Sequence, residues 1–334
     1  MTRLMGRTFA GLVAGALVLG MGSGASAADF KIRAASHFNE NTAIGFGMKA
    51  FKRLAEEKSG GRVEVELFLN AELGNEREAA EMVRNGAIEM TSTGLSGVGL
   101  YVSGLDVLEL PYLYKDADAL VRITDALLPH MQKMLNDKGF QSVGFIYAGP
   151  RHTNSVKPLR AFADFKNLKL RVPESPLYVG MARAMGASPT PVAFTEVYTS
   201  LQTGIVEAME GDADTIYKQR FYEVAKYVTL TGHIYYAQYV VFNRKYFDGL
   251  PNDIQDILME VGAETGKLQA QENKRQVQLS LDALKKEGVE LIELPDAELQ
   301  KFRDAMAEFN DQHAKSRGEG PFKIFQEAMK LTGR

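Results

Sequence analysis

Leu168-Lys169-Leu170-Arg171-Val172-Pro173 reads as a short buried strand, Leu168 to Val172, that a proline stops, with an arginine one residue from its end. Helix-forming residues from Ser175 to Met185 follow, then Gly186-Ala187-Ser188-Pro189-Thr190-Pro191. A strand running straight into a helix is the repeating unit of an α/β fold. In such folds the strand ends face the crevice where ligands bind. An arginine there offers a planar, permanently charged fork that matches a carboxylate. The competing reading ties Arg171 to Glu174 or to a backbone carbonyl.

The alternation continues on both sides of this stretch. Upstream, Lys31 to Ser36 reads as a strand and Asn41 to Lys58 as a helix that Ser59-Gly60-Gly61 ends. Val63 to Leu69 alternates as a half-buried strand, Glu76 to Asn85 is a helix, and a strand opens at Ala87 to Met90. A helix over Asp116 to Asp137 and a strand over Phe140 to Tyr147 complete this unit, and the pattern restarts after Gly149-Pro150. Downstream, Phe194 to Gln202 is a helix, Ile205 to Met209 a strand, and a further helix reaches about Tyr222. Asn252 to Glu287 contains no proline and consists mostly of helix formers. As one helix it would span about 54 Å at 1.5 Å per residue, longer than one small domain, so it crosses between lobes or breaks at Gly262 or Gly266. Shorter helices are predicted near Asp296 to Ala314 and Pro321 to Leu331.

Composition narrows the function. The chain has 334 residues, 45% hydrophobic and 24% charged, with no cysteine. Disulfides, thiolate metal sites and a cysteine nucleophile are thereby excluded. Arg3 and Arg7, the apolar run Phe9 to Met21 and Ala25-Ser26-Ala27 form a secretory leader over 1–28, cleaved near Ala27 or Ala28. The run is about 13 residues, short of the roughly 20 a membrane span needs. Without the leader, 37 basic residues face 42 acidic ones, a balance of −5 with no basic patch, so nucleic acid is not an expected partner.

Several motifs in order resemble the solute-binding proteins of TRAP transporters, the DctP-type periplasmic receptors for organic acids. They are Ala71 to Arg77, Asn85 to Met90, Leu110 to Leu113 and, above all, the region from Asn167 to His233. The resemblance implies a two-lobed α/β binding protein with a ligand cleft between the lobes and a long helix spanning both. It implies lobe one at 29–150 plus 238–276, lobe two at 151–237 plus 277–334, and crossings at Tyr147–Pro150 and Tyr235–Tyr239. It further implies export to the periplasm, capture of a small organic acid by hinge closure, delivery to the TRAP membrane permease subunits, and no cofactor or metal.

By the same resemblance Arg171 pairs with the ligand carboxylate. Arg151 is a second arginine on the ligand, or else a surface residue at the hinge. Phe194 lies against the ligand or in the core. His37 and Asn39 end the first strand facing the cleft, with Asn39 equally suited to cap the next helix. Glu76 opens a helix beside the cleft, where an acid also complements the helix dipole. Receptors of the sialic-acid type carry an asparagine where this chain has Gly211, flanked by Glu210 and Asp212. Two acids accept hydrogen bonds only, which suits ligand hydroxyls or an ammonium group. The expected ligand is therefore a hydroxylated monocarboxylate such as a uronate or aldonate, with an amino acid, dicarboxylate or keto acid as alternatives. Asp212 as a cap on the following helix is the competing reading.

An enzyme acting on a sugar acid is the remote alternative. The chain contains no P-loop, G-x-S-x-G or H-E-x-x-H motif, and its five histidines lack metal-ligand spacing. A sensory protein using the same lobes is the third possibility, since a fold does not fix a function.

Overall fold

The computed structural model describes residues 28–333. The expected leader therefore lies, except for Ala28, outside the described residues. The first unit runs β1 (Phe30–Ala35), α1 (Ala43–Lys58), β2 (Val63–Phe68), α2 (Glu76–Asn85), β3 (Met90–Thr93), α3 (Ala117–Asn136) and β4 (Phe140–Ser155). The second runs β5 (Lys169–Val172), α4 (Pro176–Ala184), β6 (Ser188–Pro191), α5 (Val197–Gln202), β7 (Ala208–Asp212) and α6 (Ala213–Lys218). Then follow β8 (Tyr227–Asn243), α7 (Arg244–Asp248), α8 (Asn252–Lys286), β9 (Glu290–Ile292), α9 (Asp296–Ser316) and α10 (Glu319–Thr332).

The strands form one mixed sheet in the order β2-β1-β3-β8-β4-β7-β5-β6, with β9 alongside β8. β1 lies parallel to β2 and β3, and β5 lies parallel to β6 and β7. These two parallel groups are the two lobes. They are joined by the long antiparallel pair β4 and β8, each of which runs through both. The pairing of β4 with β8 shifts register between Tyr147 and Pro150, opposite Ala237 and Tyr235. These are the segments read from the sequence as chain crossings, and the extra residues there bend the pair as β-bulges do.

Several boundaries differ from the sequence reading: β3 begins at Met90 rather than Ala87, β4 runs on past Tyr147 to Ser155, and α6 ends at Lys218 rather than near Tyr222. The strand expected at Ile205–Met209 is β7, Ala208–Asp212: Thr203 and Gly204 close the last turn of α5, and the backbone straightens only at Ala208. Glu210 and Asp212 are thereby strand residues, paired with Thr153 and Arg151 of β4. The expected helix from Phe194 begins as a single 3-10 turn, Phe194–Glu196, before α5.

α8 is unbroken over 35 residues, so the break at Gly262 or Gly266 does not occur. Those glycines serve close packing. A Cβ on Gly262 would lie 2.1 Å from the Val143 carbonyl oxygen, and one on Gly266 would lie 2.9 Å from that of Phe145. The helix thus rests directly on the backbone of β4 and reaches α1 in one lobe and α6 in the other. α9 packs on α4, its Phe302 edge-on to Phe162 and Phe165. α10 lies on α3, on the 3-10 turn Leu105–Leu108 and on α9. The main apolar core holds Phe51, Phe140, Phe165, Phe242 and Phe302, each fully buried, and a smaller one lies between β7, α6 and the end of α8.

Candidate functional site

β5 delivers Arg171 to the floor of a cleft between the lobes. The side chain is 3% exposed. Its Nε and Nη2 donate to the Val192 carbonyl oxygen at 3.0 and 2.7 Å. The backbone-carbonyl reading therefore describes half of the fork. Glu174 lines the same cleft but does not pair with it, and among the described residues no acid forms an ion pair with Arg171. Burial pulls this guanidinium down to about 10, with Glu210 opposing and Arg151 adding repulsion. It remains charged at neutral pH. A buried cation without a counter-ion is costly, and the fold tolerates it only where something outside the chain can compensate.

Arg151, at the bend of β4, has the opposite environment. Its Nε donates to Glu210 Oε2 and its Nη2 to Oε1 at 2.6 Å, and Nη2 also donates to the Glu210 carbonyl oxygen at 2.8 Å. The rings of Tyr236 and Tyr178 lie 4.6 and 5.3 Å from the guanidinium carbon. Burial opposes both charges, yet their attraction outweighs it: Arg151 is held above the usual guanidinium range and Glu210 below the usual carboxylate range. His233 Nε2 stands 3.5 Å from Glu210, and burial keeps that imidazole neutral. Arg151 is thus no surface residue, and it lines the cleft.

The first lobe supplies the other wall. His37, at the end of β1, is buried, with Nε2 3.9 Å from Glu76 Oε2 and Nδ1 without a partner. Burial holds it below the usual imidazole range, hence neutral. Glu76 opens α2 and accepts from the Gly94 backbone N–H. Glu109 and Gln238 complete the wall, and each has one buried oxygen without a partner. Phe194 lines the cleft, and its ring centroid lies 5.1 Å from His37, 4.9 Å from Phe38 and 5.8 Å from Phe221.

Two expected residues do not reach the cleft. Asp212 caps α6, accepting from the Thr215 N–H at 2.9 Å and hydroxyl at 2.7 Å, and from the Tyr236 hydroxyl at 3.2 Å. Asn39 accepts from the Asn41 N–H at 2.9 Å and donates to the Lys218 carbonyl at 3.4 Å, so it ties the lobes together away from the cleft. Glu210 does line the cleft, but Arg151 uses its carboxylate. Glu109, Tyr178 and Gln238 were missed. The available signal for Glu109 was an acid set in the apolar run Leu105 to Leu113.

The cleft contains about 660 Å³ of atom-free space, partly open to solvent. Among the described residues, no cluster of His, Cys, Asp and Glu could hold a metal ion, and no helix is long and apolar enough to cross a membrane.

Known proteins match this arrangement. A solute-binding protein of Sulfitobacter sp. (strain NAS-14.1) is 33% identical over 280 residues, 81% of this chain and 85% of that protein. The sialic acid-binding periplasmic protein SiaP of Vibrio cholerae is 32% identical over 289 residues, covering 82% and 89%. A TRAP periplasmic solute-binding protein from Sulfitobacter sp. NAS-14.1 with bound β-D-galacturonate superposes with a TM-score of 0.82 at 28% identity, over 91% of this chain and all of the other. A second one from that organism, with bound α-D-taluronate, gives 0.84 at 29% over 90% and 97%. Residues 34–317 match the model of the DctP family, so this chain belongs to the bacterial extracellular solute-binding proteins of family 7.

Proposed function

We propose that this chain is the extracytoplasmic receptor of a TRAP transporter for a hydroxylated monocarboxylate of the uronate or aldonate class, exported by its leader and delivering its ligand to the membrane permease subunits. One observation carries this reading: Arg171 is a buried cation in the cleft with which no acid among the described residues forms an ion pair. A ligand carboxylate completes it through a charge-assisted pair with Nη1, the end of the fork turned away from Val192. The uronates bound by the two Sulfitobacter structures belong to the same class.

The other groups favour hydroxyls around that carboxylate. Arg151 already has its counter-ion, so the two buried arginines cannot share a ligand's two carboxylates, which disfavours a dicarboxylate. The two acids expected to meet an amino acid's ammonium do not offer a free carboxylate: Glu210 is paired and Asp212 is turned into a cap. His37, Glu109 and Gln238 instead present neutral polar atoms, as hydroxyls require. Catalysis by Glu210 and Asp212 as an acid/base pair has no support, because both carboxylates are occupied.

Hinge closure follows from where the contacts fall. Asp214 of α6 accepts the Ala43 N–H of α1 at 2.8 Å, and Tyr178 of α4 donates to Glu109 at 2.9 Å, so both bonds cross between the lobes proposed above. A ligand touching both lobes shifts the chain toward this closed form by its differential affinity. Thermal-shift titration of the chain from Asp29 onward tests the reading. D-galacturonate or D-galactonate at about a hundred times its dissociation constant should stabilise the fold by roughly 2.7 kcal/mol. A response to sialic acid or to C4-dicarboxylates, with none to uronates or aldonates, would reject it.

A further inference from the structure

Glu109 follows the 3-10 turn Leu105–Leu108 and stands 5% exposed on the first-lobe wall of the cleft. Its Oε2 accepts the Tyr178 hydroxyl at 2.9 Å, which fixes the carboxyl's orientation. Its Oε1 is buried and has no partner among the described residues. Two neighbours on that wall, His37 Nδ1 and Gln238 Oε1, are in the same state. Three unpartnered polar atoms on one cleft wall make a recognition surface rather than a packing fault, since buried polar atoms are normally satisfied.

We propose that Glu109 is a ligand-binding residue whose Oε1 donates a hydrogen bond to a hydroxyl or ring oxygen of the sugar acid that Arg171 holds by its carboxylate. This rests on the sugar-acid reading given above. Burial pushes Glu109 up to about 8, with the Tyr178 hydroxyl and Arg151 pulling the other way, so at neutral pH it is a carboxylic acid. Because the Tyr178 hydroxyl already donates to Oε2, the proton belongs on Oε1, which makes that atom a donor. A neutral acid adds specificity for a hydroxylated anion without repelling it, as an ionised one would.

Charged and titratable groups face Glu109 from several neighbouring elements. Arg151 on β4 is held above its usual range. Tyr178 on α4, Tyr114 on the following loop and Tyr239 on β8 are held up by burial. His37 is neutral, and Glu76 on α2 and Asp106 on the same turn are the nearby acids that help to raise Glu109. The binding-competent form is the protonated one. Affinity should therefore be constant at lower pH, fall as pH rises through about 8, and then drop about tenfold per unit.

Calorimetric titration with D-galacturonate at pH 6, 7, 8 and 9 tests this on the chain from Asp29 onward and on Glu109→Gln and Glu109→Ala. Glutamine keeps a donor and an acceptor but cannot ionise. It should bind within about threefold of the unsubstituted chain at pH 6 and show no alkaline loss. Alanine should bind at least about tenfold more weakly at pH 6. A flat profile for the unsubstituted chain, or the same alkaline loss in Glu109→Gln, overturns the inference and leaves the receptor reading intact. So does a Glu109→Ala protein that melts earlier yet binds normally, which is the result a strut between the lobes would give. If the unsubstituted chain binds no sugar acid at any pH, the receptor reading falls and this inference with it.

Discussion

Arg171 and Arg151 are the same residue type, buried to the same degree in the same sheet and lining the same cleft, yet the chain treats them in opposite ways. Arg151 receives a carboxylate, a carbonyl and two aromatic faces. Arg171 receives one carbonyl. The difference divides the pair: one charge is answered from within the fold, and the other is left open, as the proposed carboxylate contact requires. Burial alone distinguishes nothing here. What decides is whether the chain supplies the counter-charge.

The comparison breaks most visibly if Arg151 is put into the position of Arg171. Glu210→Gln leaves Arg151 buried without an anion and should destabilise the fold by about 3–5 kcal/mol, read as a lower denaturation midpoint at unchanged slope. The reverse experiment is Arg171→Ala. It removes a buried charge that no acid among the described residues pairs with, so the melting temperature should hold or rise. Sugar-acid affinity should meanwhile fall by about 2–5 kcal/mol, measured by calorimetry. Retained binding in that folded variant would assign the carboxylate to another group. Arg171→Lys is the finer test. A lysine keeps the charge but loses the fork, and a drop of about tenfold is expected.

Much of this was legible beforehand. The alternation of strands and helices identified the fold class, and Arg171 was marked by a strand ended by Pro173. The long helix was legible from its composition. The reason it stays straight was not: Gly262 looks like a breaker until the Val143 carbonyl is found where its Cβ would lie. The fates of Glu210 and Asp212 were equally hidden. They depend on β7 starting at Ala208 and on its pairing with β4, contacts made across more than fifty residues of chain. A local pattern places two acids near a strand end, but only the register says that one meets Arg151 and the other caps α6. Glu109 belongs to no motif, because it reaches the cleft through an irregular turn.

Asp214 lies between the two extremes and gives the smallest test. It accepts the Ala43 N–H at 2.8 Å and the Ser280 hydroxyl at 3.1 Å, but no cation pairs with it. Burial, reinforced by the charge of Asp212, pushes it up to about 6 from 3.8. A carboxyl raised in the folded state favours folding when protonated. Its contribution is fully present below about 3.8 and is lost as pH rises through about 6. Asp214→Asn keeps an acceptor for Ala43 and a donor toward Ser280 and cannot ionise. It should therefore be more stable than the unsubstituted chain at pH 7 by on the order of 1–2 kcal/mol, and the advantage should vanish near pH 4. Melting curves at the two pH values measure this directly. An equal difference at both would mean that Asp214 is compensated in the folded chain as fully as Arg151 is, and the intermediate position assigned to it would be lost.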